Sequence, residues 1–418
     1  MSGFIIRDVR VFTGESVVEH GYVHVQDGKI VSVGETSSLS SAIDVPTFTK
    51  PGHTLLPGLI DAHIHASMAN PVALPQSLRF GCTTVCDMHN EYDNTEKLQK
   101  QMLEPDTAEL KTSGQAATID NGWPIPVITA HDKSPETAAE IATWPKLSTR
   151  ENVIEYLETN KRNSNNDYVK LMNESGRSMG HDFSHPTKEL QRIIVEEAHK
   201  LGYLTIAHAT CVSDTLDVLK AGVDGLAHTI CDQPPTQELV DAYKKDNAWL
   251  NPTLAAIGSL TTEGKELQEK FAHDDRVRGL IGEKEVGNMC ECMAMTIPSA
   301  KVEYAYESVR MLRKAGIDIV CGSDAAGPAL GTAWGLSMHH ELYLLVNEVG
   351  MSPEEALRSA TAVTAKRFRF NDRGRLVAGL KADLLLVEGN PLEKIDDTLN
   401  LRGVWRDGKL CSLYDGKL

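Results

Sequence analysis

The sequence lacks any run of apolar residues that approaches the about 18 needed for a membrane-spanning helix. Residues 1–12 also lack the basic segment and apolar core of a secretion signal, and their pattern predicts a strand instead. Positive charge is in deficit, because 42 Lys and Arg face 58 Asp and Glu, which leaves a net charge of −16. This balance disfavours nucleic acid and an anionic membrane surface as main partners, and it mainly favours solubility.

The eight cysteines lack the spacing of a zinc finger or of a redox motif. Only Cys82 with Cys86, and Cys290 with Cys292, lie close together, and neither pair has such a spacing. The chain is long enough to bury a large core without disulfide bonds. We therefore expect reduced thiols in an intracellular, cytoplasmic protein.

The composition and both ends of the chain indicate one large and one small domain. With 418 residues, 41% of them hydrophobic and 24% charged, the chain is typical of soluble globular proteins. Short β-rich segments separated by turns occupy both termini, and neither end alone could bury one face of a sheet. We therefore expect residues 1–56 and 372–418 to form one composite β-sandwich domain, and residues 57–371 to form the large domain.

Eight short apolar strands alternate with helical patterns between these ends. One helical pattern covers residues 188–201, with its apolar residues on one face. Eight such units predict an α/β fold, a TIM-like (β/α)8 barrel. Residues 259–315 are too many for one connecting helix and could cap the mouth of this barrel. The predicted strands cover residues 59–65, 83–88, 115–119, 168–172, 204–209, 225–228, 249–253 and 317–323.

His63 and His65 are two residues apart on the first of these strands. Residues at this spacing point to the same face of a strand, so both imidazoles would project into one space. A bare His-x-His pair is also compatible with a strand that carries two incidental polar residues. Imidazole is a common ligand for zinc, and the metal-site reading gains weight only if other ligands follow.

Polar residues at the ends of later strands supply those ligands. Taken singly, a strand-end histidine is more often a satisfied polar group, a strand lysine more often lies at an edge, and an aspartate can cap a helix. Six polar residues at strand ends in one register would be costly to bury unpaired, whereas a metal centre satisfies them jointly. Besides His63 and His65 they are Lys170, His208, His228 and Asp324.

Residues 57–65, Pro-Gly-Leu-Ile-Asp-Ala-His-Ile-His, resemble the opening signature of the metal-dependent amidohydrolase superfamily. The strand-end histidines and Gly-Ser-Asp at 322–324 match its remaining ligand positions, and Gly-Leu-Lys-Ala-Asp-Leu at 379–384 matches its return to the small domain. Gly-Cys-Thr-Thr-Val at 81–85 and Tyr-Val-Lys-Leu-Met at 168–172 are most similar to one branch. This branch holds imidazolonepropionase-like proteins, Xaa-Pro dipeptidases, Xaa-Arg carboxypeptidases and ochratoxinase. The resemblance covers essentially the whole chain.

The resemblance implies a binuclear metal centre with two divalent ions, and zinc is expected. Lys170 would bridge both ions after N-carboxylation by CO2, since a free ammonium has no lone pair whereas its carbamate is an anionic oxygen ligand. If Lys170 is unmodified, a one-metal site is the alternative. The ligands of the more buried ion would be His63, His65 and Asp324, and those of the second would be His208 and His228.

The implied activity is hydrolysis of an amide or peptide-like C–N bond in a small molecule, such as an N-acyl amino acid or a dipeptide. A metal-bridging hydroxide would attack the carbonyl carbon, and Asp324 would act as general acid and base toward the leaving nitrogen. A deaminase or a cyclic amide or imide hydrolase of the same superfamily is the alternative. A scaffold without catalysis is disfavoured, because all six ligand positions are filled. Many relatives self-associate, so we expect a homo-oligomer.

Candidate substrate-binding residues lie near the same strand ends. Just after Lys170 the chain departs from the branch, because Asn-Glu-Ser-Gly at 173–176 stands where a small, glycine-rich stretch is commoner. Hydrogen bonding within a loop is the ordinary role for residues of this kind. The candidates are His89, Asn173, Ser175, Asn251 and Thr253.

Overall fold

Strands and helices alternate in the middle of the chain, and the described α-helices all lie between two strand-rich ends. The computed structural model describes residues 3–327 and 329–417. Its strands are β1 (Gly3–Phe12), β2 (Val17–Gln26), β3 (Lys29–Glu35), β4 (Thr47–Thr49), β5 (His53–Pro57), β6 (Leu59–His65), β7 (Cys82–Asp87), β8 (Glu109–Thr112), β9 (Val169–Met172), β10 (Thr205–His208), β11 (Gly225–Ala227), β12 (Trp249–Asn251), β13 (Ala325–Ala326), β14 (Leu384–Glu388), β15 (Leu401–Arg406) and β16 (Lys409–Leu410).

The helices confirm the mixed α/β class. The helix predicted at residues 188–201 is α6, and the segment 259–315 contains three helices rather than one connection. The helices are α1 (Ala73–Arg79), α2 (Tyr92–Gln101), α3 (Ile125–His131), α4 (Pro135–Ala142), α5 (Arg150–Ser164), α6 (Lys188–Lys200), α7 (Val212–Ala221), α8 (Gln237–Lys245), α9 (Leu254–Thr261), α10 (Lys265–Ala272), α11 (Glu283–Met289), α12 (Val302–Lys314), α13 (Leu336–Asn347), α14 (Pro353–Ser359) and α15 (Ala362–Arg367).

Strands from both ends of the chain pair in one eight-stranded sheet. Its order is β16-β15-β14-β5-β1-β2-β3, with β4 beside β1. β14 runs antiparallel to β5, with Glu388 opposite His53, so the last strands adjoin the first. A separate hydrophobic cluster lies on this sheet, where the rings of Phe4 and Trp405 stack with centroids 5.7 Å apart. The strand pairing describes one sheet, and the two-layer sandwich with its boundaries at 56 and 372 stays a prediction.

The central strands form two four-stranded parallel sheets, in the orders β13-β6-β7-β8 and β12-β11-β10-β9. Isolated parallel bridges extend the second of these sheets at both edges, one between Leu171 of β9 and Ala117, which follows β8, and one between Leu250 of β12 and Ile319, which precedes β13. In βα units of this kind the functional side chains come from the carboxyl ends of the strands. Across the described strands the pairing defines two sheets and not one closed ring, so the closed barrel stays a prediction.

The third central strand lies earlier than predicted. It is β8, whereas residues 115–119 contribute only an isolated bridge. The backbone N–H of Gln115 donates to Asn160 Oδ1 at 3.1 Å, and its carbonyl accepts from the Tyr156 hydroxyl at 2.7 Å. Side chains of α5 therefore take the backbone groups that a neighbouring strand would need.

The eighth predicted strand, at residues 317–323, is also reduced to a bridge at Ile319, and the short β13 follows it. The backbone N–H of Ser323 donates to Asp61 Oδ1 at 2.9 Å rather than to a strand. A side chain thus interrupts the strand at the place where the candidate ligand Asp324 leaves it.

All eight cysteines carry free thiols, and six of them are buried. Burial raises the pKa of Cys211 to about 12, so this thiol is protonated at neutral pH. In the described ranges, no helix combines the length and the apolar character that crossing a membrane requires.

A buried ion cluster around Glu109 ties β8 to the segment that leads into β14. Glu109 Oε1 accepts from Arg373 Nη2 at 2.7 Å, and its Oε2 accepts from Lys381 Nζ at 2.5 Å. The Arg373 side chain is 2% exposed. Burial alone would raise the pKa of Glu109, but the bonds to Arg373 and Lys381 outweigh it and hold the pKa at about 2.

We expect Glu109→Gln to lower the free energy of unfolding at pH 7 by about 3 kcal/mol, because the buried guanidinium of Arg373 loses a carboxylate partner. The contribution of Glu109 is fully present above the unfolded-state pKa of about 4.3. It is lost as the pH falls toward the folded-state value, so the gap between variant and wild type should narrow in acid. Urea denaturation at several pH values measures this gap.

Glu388→Gln is the control, since Glu388 and its partner Arg402 have side chains 55% and 41% exposed. Its loss should stay below about 1 kcal/mol. A Glu109→Gln loss no larger than that of the control, or one that does not shrink in acid, would contradict the proposed role of the cluster.

Candidate metal centre

Two histidines of β6 and the aspartate before β13 meet at the carboxyl ends of these strands. His63 Nε2 lies 3.2 Å from His65 Nε2. Asp324 Oδ1 lies 3.2 Å from His63 Nε2 and 3.5 Å from His65 Nε2. Among the residues that the structure describes, this is the only set of three histidine, cysteine or acidic side chains with ligand atoms all within 4.8 Å. The three predicted ligands of the more buried ion therefore lie together.

Asp61 holds the two segments that carry these ligands. Its Oδ1 accepts from the backbone N–H groups of His63 at 3.1 Å and of Ser323 at 2.9 Å, and its Oδ2 accepts the Ser323 hydroxyl at 2.6 Å. Burial raises the pKa of Asp61 to about 6, against these hydrogen bonds, which lower it. One buried carboxylate thus fixes β6 against the segment that ends in Asp324.

The two predicted ligands of the second ion lie nearby, with their rings edge to face. The ring centroids of His208 and His228 are 4.6 Å apart. His228 Nδ1 is 2.8 Å from Thr253 Oγ1 and 3.7 Å from Asp324 Oδ2. His208 Nε2 is 3.2 Å from Glu174 Oε2. Each imidazole therefore has one ring nitrogen engaged by a neighbouring side chain.

Lys170 of β9 is 1% exposed, and its Nζ has no hydrogen-bond partner among the described atoms. Burial lowers the pKa of Lys170 and raises that of Asp324. Burial, followed by the charge of Lys170, also lowers the pKa of His63 and of His65. Uncharged nitrogens with free lone pairs, beside a carboxylate, form a donor set that fits divalent metal ions such as zinc.

Three of the predicted substrate-binding residues lie at this centre or next to it. Thr253 contacts His228, as described. The side-chain amide of Asn251 is buried with no partner for its oxygen or its nitrogen in the described part of the chain. His89 Nδ1 accepts from the backbone N–H of Ala116 at 3.0 Å.

The other two, Asn173 and Ser175, are engaged within the protein. Asn173 Oδ1 accepts from Gln191 Nε2 at 3.0 Å, and the backbone N–H of Ser175 donates to Asp214 Oδ2 at 2.8 Å. Both residues are buried. These bonds stabilise the loop after β9, and a substrate contact for any of the five residues stays a prediction.

Sequence reasoning did not identify Glu174 and Trp123, which both contact His208. The Trp123 ring stacks on the imidazole with centroids 5.1 Å apart and planes at 24°. Glu174 lies in the stretch that departs from the branch after Lys170, and that departure is the signal that could have identified it. Trp123 lies in a loop, where no periodic pattern marks it.

A small cavity of about 90 Å³ adjoins the candidate ligands. Met68, three residues after His65, and Ala326, two after Asp324, line it together with Asn288 of α11. The inserted segment therefore shares a cavity with residues near the ends of β6 and β13, and its role as a cap of the barrel mouth stays a prediction. A larger cavity of about 310 Å³ lies before β9 and β10 and contains none of the predicted site residues.

The chain has a parallel α/β core with candidate metal ligands at the carboxyl ends of its strands. This arrangement places it in the α/β class of folds. More narrowly, the chain belongs to the amidohydrolase family, because the model of that family matches residues 54–411. This match confirms the resemblance to the amidohydrolase superfamily.

Individual relatives have low sequence identity to this chain. The chain is 27% identical over 250 residues to an ochratoxinase of Aspergillus niger. This alignment covers 58% of this chain and 45% of that protein. It therefore spans under half the length of that relative. An imidazolonepropionase of Shewanella putrefaciens is 24% identical over 394 residues, which covers 91% of this chain and 89% of that protein.

Solved structures show the same fold at low identity. A Xaa-Pro dipeptidase superposes with a TM-score of 0.75 and 20% identity, covering 98% of this chain and 99% of that chain. The A. niger ochratoxinase structure superposes with a TM-score of 0.73 and 20% identity, covering 98% and 95%.

In metal-stripped protein we expect Lys170→Met to raise the free energy of unfolding by about 1–3 kcal/mol, because it removes a buried amino group with no hydrogen-bond partner among the described residues. Methionine fills a similar volume without charge. Urea denaturation in the presence of a chelator measures the effect.

Lys111→Met is the matched control. Lys111 pairs with Glu109 at 3.3 Å and with Asp167 at 3.4 Å, so its removal should destabilise the protein. A Lys170→Met variant that loses stability as Lys111→Met does would show that Lys170 is an ordinary paired lysine.

Proposed function

We propose that the protein is a binuclear metal-dependent amidohydrolase that cleaves an amide or peptide-like C–N bond of a small molecule, such as an N-acyl amino acid or a dipeptide. One observation carries this proposal. The Nζ of Lys170 is buried without a partner in a space that it shares with candidate metal ligands. A structural role explains neither the burial of this amine nor the surrounding imidazoles.

Lys170 would act as a carbamate. The lone pair of the neutral amine attacks CO2, a new N–C bond forms, and the amine loses one proton, so that an anionic carbamate with two oxygen ligands results. Burial, which lowers the pKa of Lys170, increases the fraction of neutral amine available for this step. The carbamate would also place negative charge beside the carboxylate of Asp324, the one acidic residue of the predicted ligand set.

The candidate ligands fit the two ions unequally. The atoms of His63, His65 and Asp324 already converge, whereas of the second pair only His228 approaches Asp324, with its Nδ1 3.7 Å from Oδ2. Two bound divalent ions would supply an activated water and would polarise the scissile carbonyl.

Asp324 is the residue placed to move the proton. Its Oδ1 and Oδ2 face His63 and His228, and burial raises its pKa toward neutrality. A carboxylate with a raised pKa can accept a proton from water and return it to the leaving nitrogen. An amine leaves poorly unless it is protonated, so amide hydrolysis needs this second transfer.

The similarity to a Xaa-Pro dipeptidase and to an ochratoxinase supports a peptide-like substrate. The acyl part and the amine part of the substrate are to be identified by assay. Assays of N-acyl amino acids, dipeptides and cyclic amides, with zinc and bicarbonate present, test the proposed class directly. Hydrolysis confined to cyclic amides, or deamination alone, would favour the competing class within the same family.

We expect about two equivalents of zinc per chain in protein prepared with zinc and bicarbonate. We also expect a carbamate signal after exchange with 13C-labelled bicarbonate, measured by 13C NMR beside elemental analysis. Lys170→Met should lose the signal and bind less metal, and Lys111→Met should keep both. One equivalent without a carbamate signal would exclude the bridging role of Lys170.

We expect Asp324→Asn to retain part of the metal but to lower kcat by about 100- to 10,000-fold, because the amide keeps the shape of the carboxyl group but cannot accept a proton. Asp318→Asn is the control, since Asp318 pairs with Arg367 before the strand end. Near-normal turnover of Asp324→Asn at normal metal content would exclude Asp324 as the acid and base.

A further inference from the structure

The loop after Lys170 contains a buried carboxylate aimed at a candidate metal ligand. The side chain of Glu174 is 0% exposed, and its Oε2 lies 3.2 Å from His208 Nε2. The same oxygen accepts the Thr210 hydroxyl at 2.5 Å, and Oε1 accepts the backbone N–H of Gly176 at 2.8 Å. Three donors therefore converge on one carboxylate.

This contact decides which nitrogen of His208 carries the proton. A carboxylate that already receives a hydroxyl and an amide proton acts as an acceptor, so Nε2 of His208 must donate to it. A neutral imidazole has one N–H and one free lone pair, and the lone pair is then on Nδ1. Glu174 thus selects Nδ1 of His208 as the nitrogen available to a metal.

The ring of His208 is also fixed in orientation. Trp123 stacks on it, and His228 meets it nearly edge to face, with planes at 75°. These contacts fix the plane of the imidazole but do not distinguish its two nitrogens. The bond to Glu174 lies at one nitrogen only, and it supplies the missing distinction.

The second imidazole of the pair has a similar arrangement. His228 Nδ1 lies 2.8 Å from Thr253 Oγ1, so its other nitrogen, Nε2, is left for a ligand. Outer hydrogen bonds of this kind orient metal-binding imidazoles, and their loss lowers metal affinity about 10- to 100-fold.

We propose that Glu174 is a positioning residue for the second metal site: it accepts the Nε2 proton of His208 and so presents Nδ1 to the ion. This inference rests on the proposed two-metal function and extends it to a residue outside the superfamily ligand set. It also gives the departure of residues 173–176 from the branch a physical purpose, because a glycine-rich stretch could not supply this carboxylate.

The test measures the two metal affinities of the full-length protein by chelator competition with zinc. Glu174→Ala should weaken the second ion about 10- to 100-fold and leave the first unchanged. Glu174→Gln, whose amide oxygen can still accept from His208, should lose less. Asp214→Asn is the control, since it removes a buried carboxylate of the same region that bonds Ser175 rather than His208. Unchanged affinity of the second ion in both Glu174 variants would overturn the proposal.

A second readout identifies the ligand atom. In protein loaded with 113Cd and 15N-histidine, we expect one-bond coupling from the metal to Nδ1 of His208, assigned with His208→Gln. Coupling to Nε2 would overturn the proposal, because a nitrogen bound to the metal cannot donate a proton to Glu174. This measurement uses the wild-type chain, so it decides the question even if Glu174→Ala does not fold.

The tautomer in metal-free protein separates the two proposals. If 15N NMR places the proton of His208 on Nε2 while only one metal binds, the contact with Glu174 is right and the two-metal function is wrong. If the proton is on Nδ1, the role of Glu174 is wrong whatever the metal content.

Discussion

The crowding of buried nitrogen groups around one carboxylate is the constraint on which the ends of the central strands depend. Lys170 and four imidazoles share this space with Asp324, and charges at that depth are costly without compensation. Burial therefore moves the lysine and the histidines toward their uncharged forms. In the uncharged form their lone pairs are free. The desolvation that destabilises the charged forms of these groups therefore favours the forms that can bind cations.

The nitrogen groups of the centre do not attract one another, so neighbouring residues must fix their positions. Buried carboxylates around the centre do this. Asp61 ties β6 to Ser323, and Glu174 engages His208. Glu341 of α13 accepts the backbone N–H groups of Leu254 and Ala255, both at 2.9 Å, and burial raises its pKa to about 8. Asp61 and Glu174 each contact a candidate ligand, and Glu341 contacts the turn that follows Thr253, the partner of His228. From these positions a carboxylate can orient a ligand without occupying the position of an ion.

The candidate ligands were predictable because two independent periodicities agreed. The two-residue spacing of His63 and His65 sets a strand face, and the repeated βα pattern places the later polar residues at strand ends. The boundaries of the third and eighth strands were not predictable, because side chains remote in sequence, from α5 and from Asp61, take their backbone groups. Glu174 could not be identified from the sequence for a similar reason, because only the fold brings its partners, on β10 and the loop after it, into contact with it.

The conformation of Thr253 shows how far the fold goes to hold this centre. Thr253 has φ 49° and ψ 48°, a left-handed conformation that costs a β-branched residue about 1–3 kcal/mol. The next two backbone N–H groups are the pair that Glu341 binds, so a buried carboxylate stabilises the first turn of α9 just where the strain is stored. That turn carries Thr253 Oγ1 to His228 Nδ1. The strain, the buried Glu341 and the orientation of His228 are therefore one arrangement, and it leaves Nε2 of His228 as the nitrogen that a ligand can reach.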